Sequence, residues 1–387
     1  MAGYLFGLDS HESLLQCIQT GVYSTRQSNP NGTWNKQQEG TFADYCSMKE
    51  GDYVYFFIKR KIYGIGQLVN VEGDCKYLNY PSSNIPETQN YDEIQDLLLL
   101  DTGEESIQYR FVCLFKPEPF FFENGIDMDD VLSSNPDKFK ILRVFWKLSF
   151  IKFADDENQA FKDIILRRNH DSLLDERAEN FIISTYELSH ADISQKLVKN
   201  NYILDAGPFL NTVNDDESIR HEMAIEAALI HQLSIEDPNT IATFGKWDYL
   251  SHQVVASPFK PVDYIDKMDI FGYSYIEQQK PTIGNYLLIE IKRNEVTEQD
   301  ILQLMKYVDW IRNEYSSGDY SLINAFLVGF SFEPNCLDNL KNKIERKYIS
   351  GVRPSIAKTW TNVKLVKYCF IEQVNRLSFE IVANATE

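Results

Sequence analysis

The run Tyr286-Leu287-Leu288-Ile289-Glu290-Ile291-Lys292-Arg293 limits the folds open to this chain more than any other segment. It is a short apolar run closed by charge, and it predicts a strand. Side chains alternate along a strand, so Glu290 and Lys292 share one face while Ile289 and Ile291 take the other. Alone, such a pair is ordinary, because many strands carry a solvated face. Its neighbours make it informative.

Upstream, Lys267-Met268-Asp269-Ile270-Phe271-Gly272 predicts a second strand. The polar stretch from Tyr275 to Gly284 carries Pro281 and Gly284 and can turn. If the two strands pair, Asp269 and Glu290 meet at one end of the sheet. Two carboxylates converging on a point repel each other, and the arrangement is tolerable when a divalent cation sits between them. Asp266 competes for the role of first acid, but the apolar Ile270-Phe271 after Asp269 suits a strand. Glu226, in Met223-Ala224-Ile225-Glu226-Ala227-Ala228-Leu229, falls on a predicted helix and offers a third acid. Gln303, in Leu302-Gln303-Leu304-Met305-Lys306-Tyr307-Val308, falls on another and offers a neutral amide. Lys292 can hold a water and stabilise charge growing on a phosphate.

The chain of 387 residues is long enough for two or three domains. A net charge of −19 counts against a protein that coats nucleic acid by bulk attraction, since phosphate contacts need Lys and Arg, and leaves open a nuclease that holds its strand with local basic patches. No apolar run is long enough to cross a bilayer. The opening Met1–Asp9 has no basic region followed by an apolar one. The six cysteines show no C-x-x-C spacing, which argues against a zinc site and a disulfide framework. The expectation is a cytoplasmic protein with no membrane association. His221, His231 and His252 lack H-E-x-x-H spacing and read as packed or exposed histidines. There is no G-x-S-x-G elbow and no phosphate-binding G-x-x-x-x-G-K-[ST] loop.

In the first segment, Tyr53–Ile58 and Ile62–Val69 predict a hairpin turning at Lys59-Arg60-Lys61. Glycines at 64 and 66 point to a bulge or a close backbone approach. Gln108–Phe115 predicts a strand, Ser10–Thr20 and Asp155–Arg167 helices, and 70–107 a polar excursion. Pro117–Phe122 reads as an aromatic loop. Together these predict a small, partly open β-barrel with helices over 1–170. A helical connector spans 171–215. From 216 to 387 the expected order is a helix at 216–233, strands near 250–257, 267–276 and 285–292, a helix at 298–315, a strand at 323–332, a helix at 337–348 and strands near 363–371 and 377–382. The helix at 298–315 has a box-like entry, Thr297 with Asp300. The interleaving predicts an α/β domain with a mixed sheet flanked by helices.

The order helix Glu226, strand Asp269, strand Glu290-x-Lys292, helix Gln303 resembles the PD-(D/E)xK nuclease superfamily over about residues 216–333. Within it the chain is most similar to the catalytic domain of mismatch endonucleases, whose Gln-Leu-x-x-Tyr-Val helix Gln303–Val308 resembles. The resemblance implies Asp269, Glu290 and Glu226 as ligands of Mg²⁺, with Mn²⁺ able to substitute. It makes Lys292 the catalytic lysine and Gln303 a supporting residue. Met268 stands where the family motif has proline, two positions before which lies Asp266. Residues 3–165, through Gly51-Asp52-Tyr53-Val54 and the glycine-bearing strand after it, resemble PUA-like domains of the EVE and YTH type. Several of those hold a modified base among aromatics, which implies Trp34, Tyr23, Phe121 and Trp146 as pocket walls. The function so implied is a Mg²⁺-dependent endonuclease acting on DNA that bears modified bases, in restriction or phage defence. A mismatch- or structure-directed repair nuclease is the second reading, and a non-catalytic nucleic-acid-binding module the third. A homodimer would supply two sites for a double-strand cut.

Overall fold

The computed structural model describes residues 1–26, 34–85, 87, 89–117, 125–139, 150–174, 185–257, 266–338, 340–351 and 353–384. The chain divides into two units. One takes Met1–Trp34 with Met48–Leu204, the other Asn35–Ser47 with Asp205–Glu387.

The first unit begins with β1 (Gly3–Gly7), α1 (His11–Thr20) and β2 (Val22–Arg26). Ser10 Oγ accepts from the Ser13 amide to start α1, and Gly21 at φ 63° ends it. After α2 (Lys36–Cys46), which belongs to the second unit, come β3 (Tyr53–Ile58), β4 (Lys61–Leu68), β5 (Lys76–Leu78), the short α3 (Tyr91–Ile94), β6 (Tyr109–Pro117), β7 (Ile126–Asp127), α4 (Met128–Ser134), β8 (Phe150–Phe153), α5 (Asp155–Arg168), α6 (His170–Leu174) and α7 (Tyr186–Leu197). The sheet order is β2-β6-β4-β3-β1-β8, with β5 on β6 and β7 on β4, curled into a half-barrel.

The expected hairpin forms, with Ile58 opposite Lys61. Its turn is the pair Lys59 and Arg60, both left-handed at φ 45° and 72°, the conformation that matches the twist of the flanking strands. Leu5, Tyr55, Ile65, Ile151 and Phe161 build the main core under the sheet. Asp52 receives the amides of Ala2 at 2.8 Å and Lys49 at 3.1 Å, so the Gly51-Asp52 motif ties two segments together. The 70–107 excursion has little regular structure, yet it buries Tyr77, Leu98 and Leu99.

Two expected pocket walls are core residues instead. Tyr23 is 6 % exposed and stacks on Phe6 with ring centroids 4.1 Å apart. Trp34 is 2 % exposed and stands edge-on to Phe111 at 5.5 Å. Its polar sequence neighbours suggest a loop, but a large ring gains more from tertiary burial than its neighbours lose. Phe121 and Trp146 lie outside the described residues.

The second unit contains α2, α8 (Ala206–Val213), a small hairpin of β9 (Asn214–Asp215) and β10 (Ser218–Ile219), α9 (Glu222–Ser234), α10 (Pro238–Phe244), β11 (Tyr249–Val255), β12 (Lys267–Tyr275), β13 (Ile283–Ile291), β14 (Glu295–Val296), α11 (Glu298–Glu314), β15 (Ile323–Gly329), β16 (Ser331–Phe332), α12 (Pro334–Leu337), α13 (Leu340–Ile344), β17 (Arg346–Ser350), β18 (Ile356–Trp360), β19 (Val363–Ile371) and β20 (Arg376–Asn384). Its sheet runs β11-β12-β13-β15-β19-β20. β13, β15 and β19 are parallel, and the remaining neighbours are antiparallel. Helices cover both faces. Tyr315 beyond α11 packs on Phe271 at 4.8 Å, whereas Phe244 of α10 packs on Phe326 at 5.0 Å, and those two positions alternate to opposite sides.

Two expectations are corrected here. The helix foreseen from 216 starts at Glu222, because Asp216 at φ 56° turns the β9–β10 hairpin. The helix foreseen over 337–348 is two short pieces followed by β17, whose residues pair with β18 from Arg346↔Trp360 to Ser350↔Ile356.

α9 is buried around its whole circumference from Ala224 to Leu233. α2 covers one side of it and buries Phe42, Ala43, Tyr45 and Cys46. Phe42 meets Phe209 at 5.1 Å and His231 at 6.0 Å. Burying each such ring contributes about 2 kcal/mol, a sizeable part of an ordinary stability of about 5–15 kcal/mol. A chain starting at Asp205 is therefore expected to lose cooperative thermal unfolding, and fusing residues 35–47 to it through a flexible linker to restore the transition. Equal cooperativity with and without 35–47, by calorimetry, would refute this role for α2.

Candidate active site

Pairing of β12 with β13 sets Ile270 opposite Ile289 and Phe271 opposite Leu288. One step further along this register brings Asp269 beside Glu290. There the ladder ends, and the Asp269 carboxylate replaces a strand partner: its Oδ2 accepts from the Ile291 amide at 2.7 Å. This bond fixes the Asp269 side chain.

Glu290 is 1 % exposed. Its Oε1 accepts from Lys292 Nζ at 2.8 Å and from Gln303 Nε2 at 2.8 Å. Gln303 stands on the first turns of α11 and also donates to Tyr307 Oη at 3.1 Å. Thr297 enters that helix through its amide and hydroxyl, both donating to Asp300 Oδ2 at 2.8 Å, and Asp300 Oδ1 lies 3.9 Å from Lys292 Nζ. Glu290 Oε2 is buried and, among the described residues, has no hydrogen-bond partner. Leaving a buried carboxylate oxygen unmet is costly.

Glu226 reaches this group through a residue the sequence reading did not select. Gln253, on β11, lies opposite Asp269 in a register that pairs His252 with Ile270 and Val254 with Met268. Its backbone is left-handed at φ 51°, a conformation a glutamine holds only under tertiary constraint. Its Nε2 lies 3.0 Å from each Glu226 oxygen and 3.3 Å from Asp269 Oδ1. The adjacent His252 places Nδ1 3.7 Å from Glu226 Oε2 and Nε2 2.9 Å from Asp44 Oδ1 of α2. Glu39, also on α2, meets His221 Nδ1 at 2.7 Å. The His252-Gln253 pair inside an apolar strand is a readable signal. Asp44 and Glu39 have none, because their partners are some two hundred residues away in sequence.

Asp269, Glu290, Lys292 and Gln303 are thus brought together directly, and Glu226 joins through Gln253. Asp266 lines a neighbouring cavity with Tyr307. Burial, then Glu226 and Glu290, raise the Asp269 pKa well above the carboxylate range. Burial pushes Glu290 up to about 7 against the pull of Lys292. Burial works to lower the Lys292 pKa, but Glu290 and Asp269 raise it overall, so the ammonium stays charged. The site has more buried acid than base.

Among the described residues, no three or more His, Cys, Asp or Glu side chains are arranged to enclose a metal ion. The donor set still fits a hard divalent cation. Mg²⁺ is commonly held by one or two carboxylates and retains several waters. Asp269, together with the open Oε2 of Glu290, matches that requirement.

Burial alone would lower the His252 pKa, but Asp44 and then Glu226 push it up to about 10. A raised folded-state pKa stabilises the fold fully below the ordinary histidine value, and the gain is lost as pH rises through about 10. Denaturant stability is therefore expected to fall between about pH 6.5 and 10, and that fall to be absent in His252→Gln. Parallel curves for the two proteins would show that the ring carries no such charge.

No family model matches the chain, and no curated protein matches it. Among solved structures, a repair endonuclease from Pyrococcus abyssi is similar at a TM-score of 0.21 and 23% identity, covering 33% of this chain and 45% of that one. A protein from Agrobacterium tumefaciens is similar at a TM-score of 0.22 and 15% identity, covering 41% of this chain and 88% of that one. The match to the endonuclease spans less than half of that chain. At these TM-scores neither likeness bears on what the chain does.

Proposed function

We propose that the second unit is a divalent-cation-dependent nuclease that hydrolyses phosphodiester bonds in DNA. The observation that carries this reading is Glu290. One of its oxygens is held by Lys292 and Gln303, and the other is buried near Asp269 and, among the described residues, has no partner. Most buried polar atoms are hydrogen-bonded, so an open carboxylate oxygen next to a second acid offers a ligand position.

Asp269 and Glu290 would hold the cation. When bound, it supplies positive charge against the buried acids and lowers the pKa of coordinated water. The remaining roles belong to the chain. The Ile291 amide holds Asp269 in place, and Gln303 holds Glu290. Lys292, charged at neutral pH, cannot take a proton. It serves as a fixed cation for the negative charge that grows on the phosphate oxygens as water attacks phosphorus and the bond to the leaving sugar oxygen breaks. Gln253 donates to both Glu226 and Asp269 and holds the two carboxyl groups close together. Asp44 positions His252, and His252 faces Glu226.

Selection of DNA carrying modified bases, as in restriction or phage defence, belongs to this reading as the task of the first unit. With Trp34 and Tyr23 buried, it finds support in the sequence resemblance alone.

Wild-type protein with Mg²⁺ is expected to nick plasmid DNA and EDTA to stop it, with Mn²⁺ substituting. Asp269→Asn and Lys292→Met are each expected to lose at least about 10²-fold in rate with far-UV circular dichroism unchanged. Equal rates would remove the site assignment. Asp44→Asn, one contact further out, is expected to lose about 10–100-fold in activity or metal affinity, with Asp44→Glu recovering part of it. Side-by-side cleavage of unmodified, 5-methyl-, hydroxymethyl- and glucosylated-cytosine DNA tests the modified-base reading, which indifference to all four would end.

A further inference from the structure

A cavity of about 300 Å³ lies along α11 next to the proposed catalytic group, lined by Asp266, Lys306, Tyr307, Asp309 and Trp310 among others. Gln303, Tyr307 and Trp310 fall at i, i+4 and i+7, so they form one stripe of the helix. The stripe is wired to the site: the Gln303 amide donates both to Glu290 and to the Tyr307 hydroxyl. Gln303 and Trp310 are about 10 Å apart along the helix axis.

The walls define the ligand. Trp310 Nε1 is buried and, among the described residues, has no hydrogen-bond partner. It is a donor in need of an acceptor. Two carboxylates, Asp266 and Asp309, also line the cavity, and Asp309 is already held by Arg346 at 2.8 and 3.1 Å. Their charge rejects a phosphate inside. Lys306 is exposed, where a phosphate can stay in solvent and still meet a cation. A flat, neutral ring with acceptor atoms, attached to a phosphate, satisfies every part of this description.

We propose that this cavity receives one nucleobase, turned out of the stack, from a nucleotide next to the phosphate at the catalytic group. The base lies against Tyr307 and meets Trp310 at its edge, accepting from Nε1, and Lys306 meets its phosphate. The inference rests on the nuclease reading and adds a strand-reading subsite to it. The site selects for nucleotides that leave the stack easily.

The test uses full-length protein in EDTA, so that nothing is cut, and a single-stranded oligonucleotide carrying 2-aminopurine at successive positions. The expected result is a changed 2-aminopurine emission at one position only. Trp310→Ala should weaken binding about 5- to 100-fold. Trp310→Phe, which keeps a ring and loses the donor, should fall in between. Lys306→Ala should reduce the dependence of log affinity on log salt by about one unit. Wild-type affinity and unchanged emission in both Trp310 variants, with melting temperatures preserved, would overturn the proposal. A free nucleoside monophosphate binding as tightly as the oligonucleotide would also overturn it, by marking an effector site. A Trp310-dependent signal from a protein that cuts no DNA with Mg²⁺ or Mn²⁺ present would leave the subsite standing and remove the nuclease reading, so the two failures are distinguishable.

Discussion

One side-chain amide holds the second unit's polar centre together. Gln253 Nε2 lies between the carboxyl groups of Glu226 and Asp269 and donates to both. An amide donor can bridge two acids without adding a charge, so the excess negative potential is held in place and not cancelled. Burial first, and then the neighbouring Glu226 and Glu290, raise the Asp269 pKa. The left-handed backbone of Gln253 is part of the same device, since the cost of its conformation is offset by contacts that no other residue of the strand could make.

Around this centre the charges are matched in pairs of unequal strength. Lys292 balances Glu290 at 2.8 Å, and His252 balances Asp44 at 2.9 Å while facing Glu226 at 3.7 Å. Glu39, five residues before Asp44 on α2, lies 2.7 Å from His221 Nδ1. Breaking one partner of such a buried pair leaves an uncompensated charge and costs more than the pair contributes. The sheet end is therefore rigid by electrostatics as well as by packing.

Much of this was legible in the sequence, and the reasons differ by residue. Alternation on β13 put Glu290 and Lys292 on one face, and the polar turn after Tyr275 closed the hairpin that brings up Asp269. Helical spacing placed Gln303 and Glu226. These are local rules, and they held at local range. Gln253 was marked only by the polar His252-Gln253 pair within its strand, and the backbone angle that aims it is set by tertiary structure. Trp34 misled because its neighbours are polar, while its ring is placed by Phe111 on a distant strand. The segment after Leu337 carried helical spacing, yet its last residues obey their β18 partner, which local periodicity cannot see.

The segment Asn35–Ser47 has a further consequence, for synthesis. It leaves the ribosome early, while its partners His221 and His252 follow 182 and 208 residues later. Loop closure over such distances is slow relative to local pairing. The first unit can collapse while α2 waits, its buried face without a partner. The acidic centre is completed only after α9, the central hairpin and α11 have all emerged. The group of buried acids is thus assembled only after most of the chain has been made, and its timing is set by connectivity.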